Sequence, residues 1–98
     1  MVAYQSVLSK YFKEKPVKRA YLFGSVVRGE NTVDSDIDLL VDLDYENGAD
    51  FFLFLDMQEE LSKLLKKKVD LVSSNGLSVH VKPFIDSEKQ MVYERTAG

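Results

Sequence analysis

The sequence contains no cysteine and a single histidine, His80. Disulfides and thiolate metal sites are therefore excluded. Long apolar runs are missing too. The longest, Phe51 to Leu55, falls far short of the roughly 20 residues that cross a bilayer. The first fifteen residues lack the apolar centre of a signal peptide. These absences point to a soluble, cytoplasmic protein with no membrane partner. Positive charge is also locally absent: from Glu30 to Glu60 there are eleven acids and no lysine or arginine, between basic flanks. An acidic centre of this kind does not fit a nucleic-acid binder, whose basic residues should dominate. It could hold cations at its centre, although most of these charges read as a solvated surface and one loop.

What is present fits one small domain over residues 1–98, with 45% hydrophobic and 30% charged residues. Tyr4, Val7, Leu8, Tyr11 and Phe12 follow the spacing of an amphipathic helix, which Pro16 stops. Val17 to Phe23 is a strand by its β-branched and aromatic content, and Gly24 ends it. Ser25 to Glu30 can form a short helical turn, followed by a loop. Asp36 to Leu43 reads as a second strand. Phe51 to Lys67 is the strongest helix, with an apolar stripe of Phe51, Phe54, Leu55, Leu61, Leu64 and Leu65 and with Asp50 as its N-cap. Acids in its first half and lysines at its end complement the helix dipole, so Lys66 to Lys68 needs no nucleic-acid partner. Val69 to Ser73 is a third strand. Beyond it the spacing suggests a short helix near Leu77 to Lys82, another helical turn after Pro83 and an edge strand at Met91 to Glu94. The main order, α-β-β-α-β, predicts an α/β (α+β) fold: a small mixed sheet with helices mainly on one face.

The chemistry lies in the acids of the strands. Side chains alternate along a strand, so Asp36 and Asp38 point to one side, roughly 6–7 Å apart at Cα, while Ile37, Leu39 and Val41 point to the core. Two carboxylates so placed stay ionised at little cost only with a cation between them. Oxygen ligands alone favour a hard cation, Mg²⁺ or Mn²⁺, over zinc. Asp70, alone in the apolar third strand, can join them if strands two and three are neighbours. Three acids can then hold two metals, an arrangement suited to activating an attacking oxygen and neutralising a leaving phosphate. The plainer reading is a polar sheet face open to water. A calcium loop fails, because neither Asp34 nor Asp42 is followed by the glycine and glutamate an EF-hand needs at its sixth and twelfth positions.

Gly24-Ser25 adds a second signal. Glycine after a strand lets a phosphate approach the backbone, and amides at a helix start donate to anions. The Ser25 hydroxyl can add a hydrogen bond, and Arg28, one turn on, can reach a phosphate oxygen. The spacing is not that of a Walker loop. His80 reads as a surface or packing residue, Phe51 and Phe54 as core, and Phe52 as outward-facing. Asp34, Asp42 and Asp44 read as loop and strand-end acids, whereas Tyr45 and Asn47 sit in a loop expected near the site.

Together, "GSVVRG" and "SDIDLLV" resemble the signature of the nucleotidyltransferase superfamily related to DNA polymerase beta. The resemblance extends through "KKVDLVSSNGLSVHVKPFI", so it covers about Val17 to Ile85 and narrows to the minimal nucleotidyltransferases. It implies that Asp36 and Asp38 bind two Mg²⁺ ions. Asp70 would join them at the catalytic metal and help deprotonate the attacking hydroxyl. Gly24 and Ser25 would contact the β and γ phosphates of ATP, with Arg28 either on the nucleotide or bridging to the loop. The implied reaction is transfer of AMP from ATP to a hydroxyl with release of pyrophosphate. The family also implies an acceptor, a tyrosine of a HEPN-domain toxin, for which the chain would act as antitoxin. Two alternatives stay open at this point: an antitoxin acting by binding alone, and nucleotidyl transfer to a small molecule or RNA end with a separate substrate-binding subunit.

Overall fold

In a computed structural model, residues 4–30, 32 and 34–95 are described. Within the expected loop after the glycine turn, Asn31 and Val33 lie outside the described residues. Helix α1 runs Gln5–Lys13, strand β1 Val17–Phe23 and the single turn of helix α2 Ser25–Arg28. Strand β2 (Ile37–Leu43), helix α3 (Phe51–Leu65) and strand β3 (Val69–Ser73) follow, then helix α4 (Lys82–Glu88) and strand β4 (Gln90–Glu94). The four strands form one sheet in the order β3-β2-β1-β4. β1 pairs antiparallel with β2 and β4, and β2 pairs parallel with β3, so the sheet is mixed as expected.

One face of this sheet is the core. Ile37, Leu39 and Val41 of β2 are fully buried with Ala20 and Leu22 of β1 and Val69 and Leu71 of β3. Leu8 and Phe12 of α1 and Met57 and Leu61 of α3 join the same cluster. At roughly 25 cal/mol per Å² of apolar surface removed from water, this cluster is the main source of the fold's stability. The opposite parity of β2 carries Asp38 and Asp42, and Asp36 just before the strand shares it. Leu40 shares that parity and is buried outside the main cluster, as is Ile85 of α4.

Two expectations need correction. The stripe of α3 holds only in part: Leu61 is buried with Met57, and Phe54 and Leu65 pack against the core, while Phe51, Leu55 and Leu64 are exposed. At ~100° per residue, Phe51 and Leu55 stand about 120° and 160° round the axis from Met57, off the core face. Leu64 lies in the last turn. The helix expected at Leu77 to Lys82 is not formed. A 3-10 turn at Ser74–Gly76 precedes the stretch, residues 77–81 are irregular backbone and turn, and α4 starts at Lys82 with Pro83 in its first turn. Proline is tolerated there because the first amides of a helix have no intrahelical partner to lose. The other elements fall where the sequence puts them, including the Asp50 cap, whose side chain accepts the Leu53 amide at 2.8 Å.

Candidate active site

The register of the sheet decides which acids meet. Asp38 lies opposite Asp70 in the parallel β2–β3 pair and opposite Phe23 in the β1–β2 pair. Asp38 and Asp70 therefore sit side by side on the face away from the core, at the end of the sheet where β1 turns into α2. Asp36 shares their parity just before β2, with its Oδ2 3.8 Å from Lys68 Nζ. Gly24 closes the group from the β1 side. Its φ of 81° and ψ of −153° are a conformation L-residues rarely adopt, and a Cβ there would lie 2.1 Å from Asp38 Oδ2. The glycine is thus required twice, by its backbone angle and by the carboxylate beside it.

Burial, then the negative charges of Asp70 and Asp36, raise the Asp38 carboxyl above its ordinary range, and Arg28 offsets only part of this. Among the described residues no group of three acidic or histidine side chains is placed so that it could hold a metal ion as it stands. The donor chemistry nevertheless fits a hard dication: three carboxylates share one face, one of them strained by its neighbours' charge.

Arg28 is committed elsewhere. Its Nη1 donates to both oxygens of Glu88, at 3.1 and 2.9 Å, and its Nε donates to Glu30 at 2.8 Å. Glu88 Oε1 also accepts the Gly24 amide at 3.0 Å. The Arg28 guanidinium and this amide hold the Glu88 carboxyl below its ordinary range. Glu88 escaped the sequence reading, although one signal was there: an acid at the C-terminal end of a helix, where the dipole disfavours it.

Of the remaining residues, Asp42 pairs with Arg19 at 3.5 Å, Asp34 is exposed, and Asp44 is a buried strand-end acid. Tyr45 and Asn47, expected near the site, follow the far end of β2 from Asp38. Asn47 Nδ2 donates to Asp44 there, and the Tyr45 hydroxyl lies 3.5 Å from Ser73 Oγ. His80 is exposed, as a surface residue should be.

The polymerase beta nucleotidyltransferase model matches residues 6–97. The chain belongs to that family. A candidate protein adenylyltransferase of Methanocaldococcus jannaschii is 41% identical over 86 residues, spanning 86% of this chain and 84% of that protein. Protein adenylyltransferase MntA of Thermococcus cleftensis is 39% identical over 77 residues, spanning 74% and 76%. Among solved structures, a chain of the complex between a tri-AMPylated Shewanella oneidensis HEPN toxin and an MNT antitoxin shares the fold. Its TM-score is 0.68 at 19% identity, covering 93% of this chain and 70% of that one. Family and fold agree with the mixed sheet, and a solved chain described as a minimal nucleotidyltransferase, 32% identical, shares it with a TM-score of 0.76 over 90% of this chain and 88% of that one.

Proposed function

We propose that this nucleotidyltransferase transfers AMP from ATP to a tyrosine hydroxyl of a HEPN-domain toxin, and so acts as the toxin's antitoxin. The acceptor oxygen attacks the α-phosphorus. The bond from that phosphorus to the oxygen bridging to the β-phosphate breaks, and pyrophosphate leaves. Asp36, Asp38 and Asp70 would hold two Mg²⁺ ions, which when bound supply charge stabilisation at the attacking and leaving oxygens. Asp70, at the exposed edge of the group, takes the hydroxyl proton. Gly24 leaves room for the Asp38 carboxylate beside the turn, and Ser25, half-buried at the first position of α2, offers its amide and hydroxyl to the phosphate oxygens. Arg28 acts through the turn it braces.

The observation that carries this reading is Asp38, set beside Asp70 and against Gly24 and left short of positive charge. A sheet face built only for solubility has no use for such strain. The protein-adenylyltransferase names of the relatives and the AMPylated toxin in the related complex favour a protein acceptor. The test is incubation with labelled ATP, Mg²⁺ and the cognate HEPN toxin, comparing wild type with Asp36→Asn/Asp38→Asn. Label on a toxin tyrosine that is lost in the variant is expected. Equal toxin neutralisation by both forms without label would replace this reading with binding alone, and label on RNA or a small molecule instead would move the acceptor.

A further inference from the structure

We propose that Glu88 is a positioning residue for the nucleotide-binding turn: a carboxylate delivered from the end of α4 that fixes Gly24 and Arg28 so that Ser25 faces the aspartates. The inference rests on the nucleotidyl-transfer reading above. The antiparallel β1–β4 register pairs Tyr21 with Met91 and Leu22 with Gln90. Continued past the strand ends, it brings Glu88 opposite Gly24, which has left the sheet. The Glu88 carboxylate takes over there as acceptor for the Gly24 amide at 3.0 Å. The Gly24 carbonyl is held from the other direction, accepting the Val27 and Arg28 amides at 3.1 and 3.2 Å. Asp38 Oδ2 fills the space beside its Cα. Both polar groups and the open side of one glycine are therefore fixed at once.

The same carboxylate binds Arg28 with both oxygens, and Arg28 is the last residue of α2. Glu88 therefore grips the start and the end of the four-residue helix that presents Ser25. A charge-assisted, two-oxygen contact is the strong form of such a grip. It also explains why an acid stands where the α4 dipole opposes it. The Gly24 amide is already used within the protein, so phosphate oxygens are left to the Ser25 donors. The benefit is prior order, since a turn displaced by about 1 Å can lose on the order of 100-fold in transfer.

The test uses the full chain as wild type, Glu88→Gln, Glu88→Asp and Glu88→Ala. Affinity for AMP-PNP with Mg²⁺, KM for ATP and kcat on the toxin, the Gly24 amide resonance and the melting temperature are measured for each. Glu88→Ala is expected to weaken AMP-PNP binding and raise KM about ten-fold or more, with a smaller fall in kcat. Its Gly24 amide proton should move upfield and exchange faster. Glu88→Gln, which keeps an oxygen for the Gly24 amide but gives up the charge and one of the two oxygens on Arg28, should recover part of the affinity; Glu88→Asp, one methylene short, should recover less. Tighter AMP-PNP binding in Glu88→Ala would overturn the proposal, because the carboxylate would then be blocking the phosphates. Unchanged affinity with a displaced Gly24 amide would overturn it as well. If Glu88→Ala does not fold, Glu88→Gln and Glu88→Asp still decide: equal affinity in those two sinks the idea. A wild type that neither binds AMP-PNP nor transfers AMP is a failure of the underlying reading, distinct from an active wild type indifferent to Glu88.

Discussion

Asp38 and Asp44 stand six positions apart, one near the start of β2 and the other just past its end, and the protein treats them in opposite ways. Asp44 is almost fully buried and fully partnered. It binds the Arg95 guanidinium and the Asn47 amide, while its backbone amide donates to Pro16 at 2.8 Å. Its carboxyl is held below the ordinary range, first by Arg95 and then by Asn47. Asp38 is less buried, has carboxylates as its nearest charged neighbours, and is pushed upward. An acid that serves structure is given partners from the same chain. One kept short of them is, on the proposed reading, matched by charge from bound metal.

The sharpest way to test this contrast is to remove each charge. Asp38→Asn should lower AMP transfer on the order of 10³-fold or more, since on the proposed reading it removes a ligand for metals that supply several kcal/mol to the transition state. The same variant should melt at or slightly above the wild-type temperature, because a repulsion is relieved. Asp44→Asn should do the reverse: near-normal transfer per folded molecule, and a melting temperature lower by roughly 5 °C. A melting loss in Asp38→Asn equal to that in Asp44→Asn would dissolve the distinction.

A narrower break targets the glycine. Gly24→Ala places a methyl group against Asp38 Oδ2 and forces a non-glycine residue into positive φ. Transfer should fall by about 100-fold, with a melting loss of a few degrees; normal kinetics would mean that the turn relaxes freely.

The smallest effect is in acid. A carboxyl with a lowered folded pKa contributes stability that is fully present above the ordinary carboxylate range and is lost as pH falls through the lowered value. Wild-type melting temperature should therefore drop as pH falls below about 4, and Asp44→Asn should show a shallower slope there. Parallel curves would mean that Arg95 does not set the acid limb.

Much of this was legible in the sequence because strand periodicity is short-range. Alternation along "DIDLLVD" separates the core face from the acidic face without knowledge of any neighbour, and the isolated Asp70 stands out for the same reason. Helix phase was harder to read. Phe51 and Leu55 looked like core only because apolar residues were counted without asking which side Met57 fixes. Pro83 suggested a break between two helical pieces, whereas it sits in the first turn of one. Glu88 was not legible as a site residue, because its meaning comes from Gly24, 64 positions away, and no local pattern carries that information.

That separation bears on the order in which the molecule organises itself. β4 is an edge strand, paired on one side only, and it is farther along the chain than the rest of the sheet. From its flanks come the two contacts that secure opposite ends of the acidic strand: Glu88 reaches the turn at Gly24, and Arg95 reaches Asp44 across 51 positions. Contacts that close long loops are entropically costly and tend to form late, and an edge strand is among the first parts to fray. The glycine turn and the Asp44 corner thus depend on the same late-closing strand, so a chain that has paired β1, β2 and β3 but not yet docked β4, with its core residue Val92, would have its aspartates in place and its turn still loose.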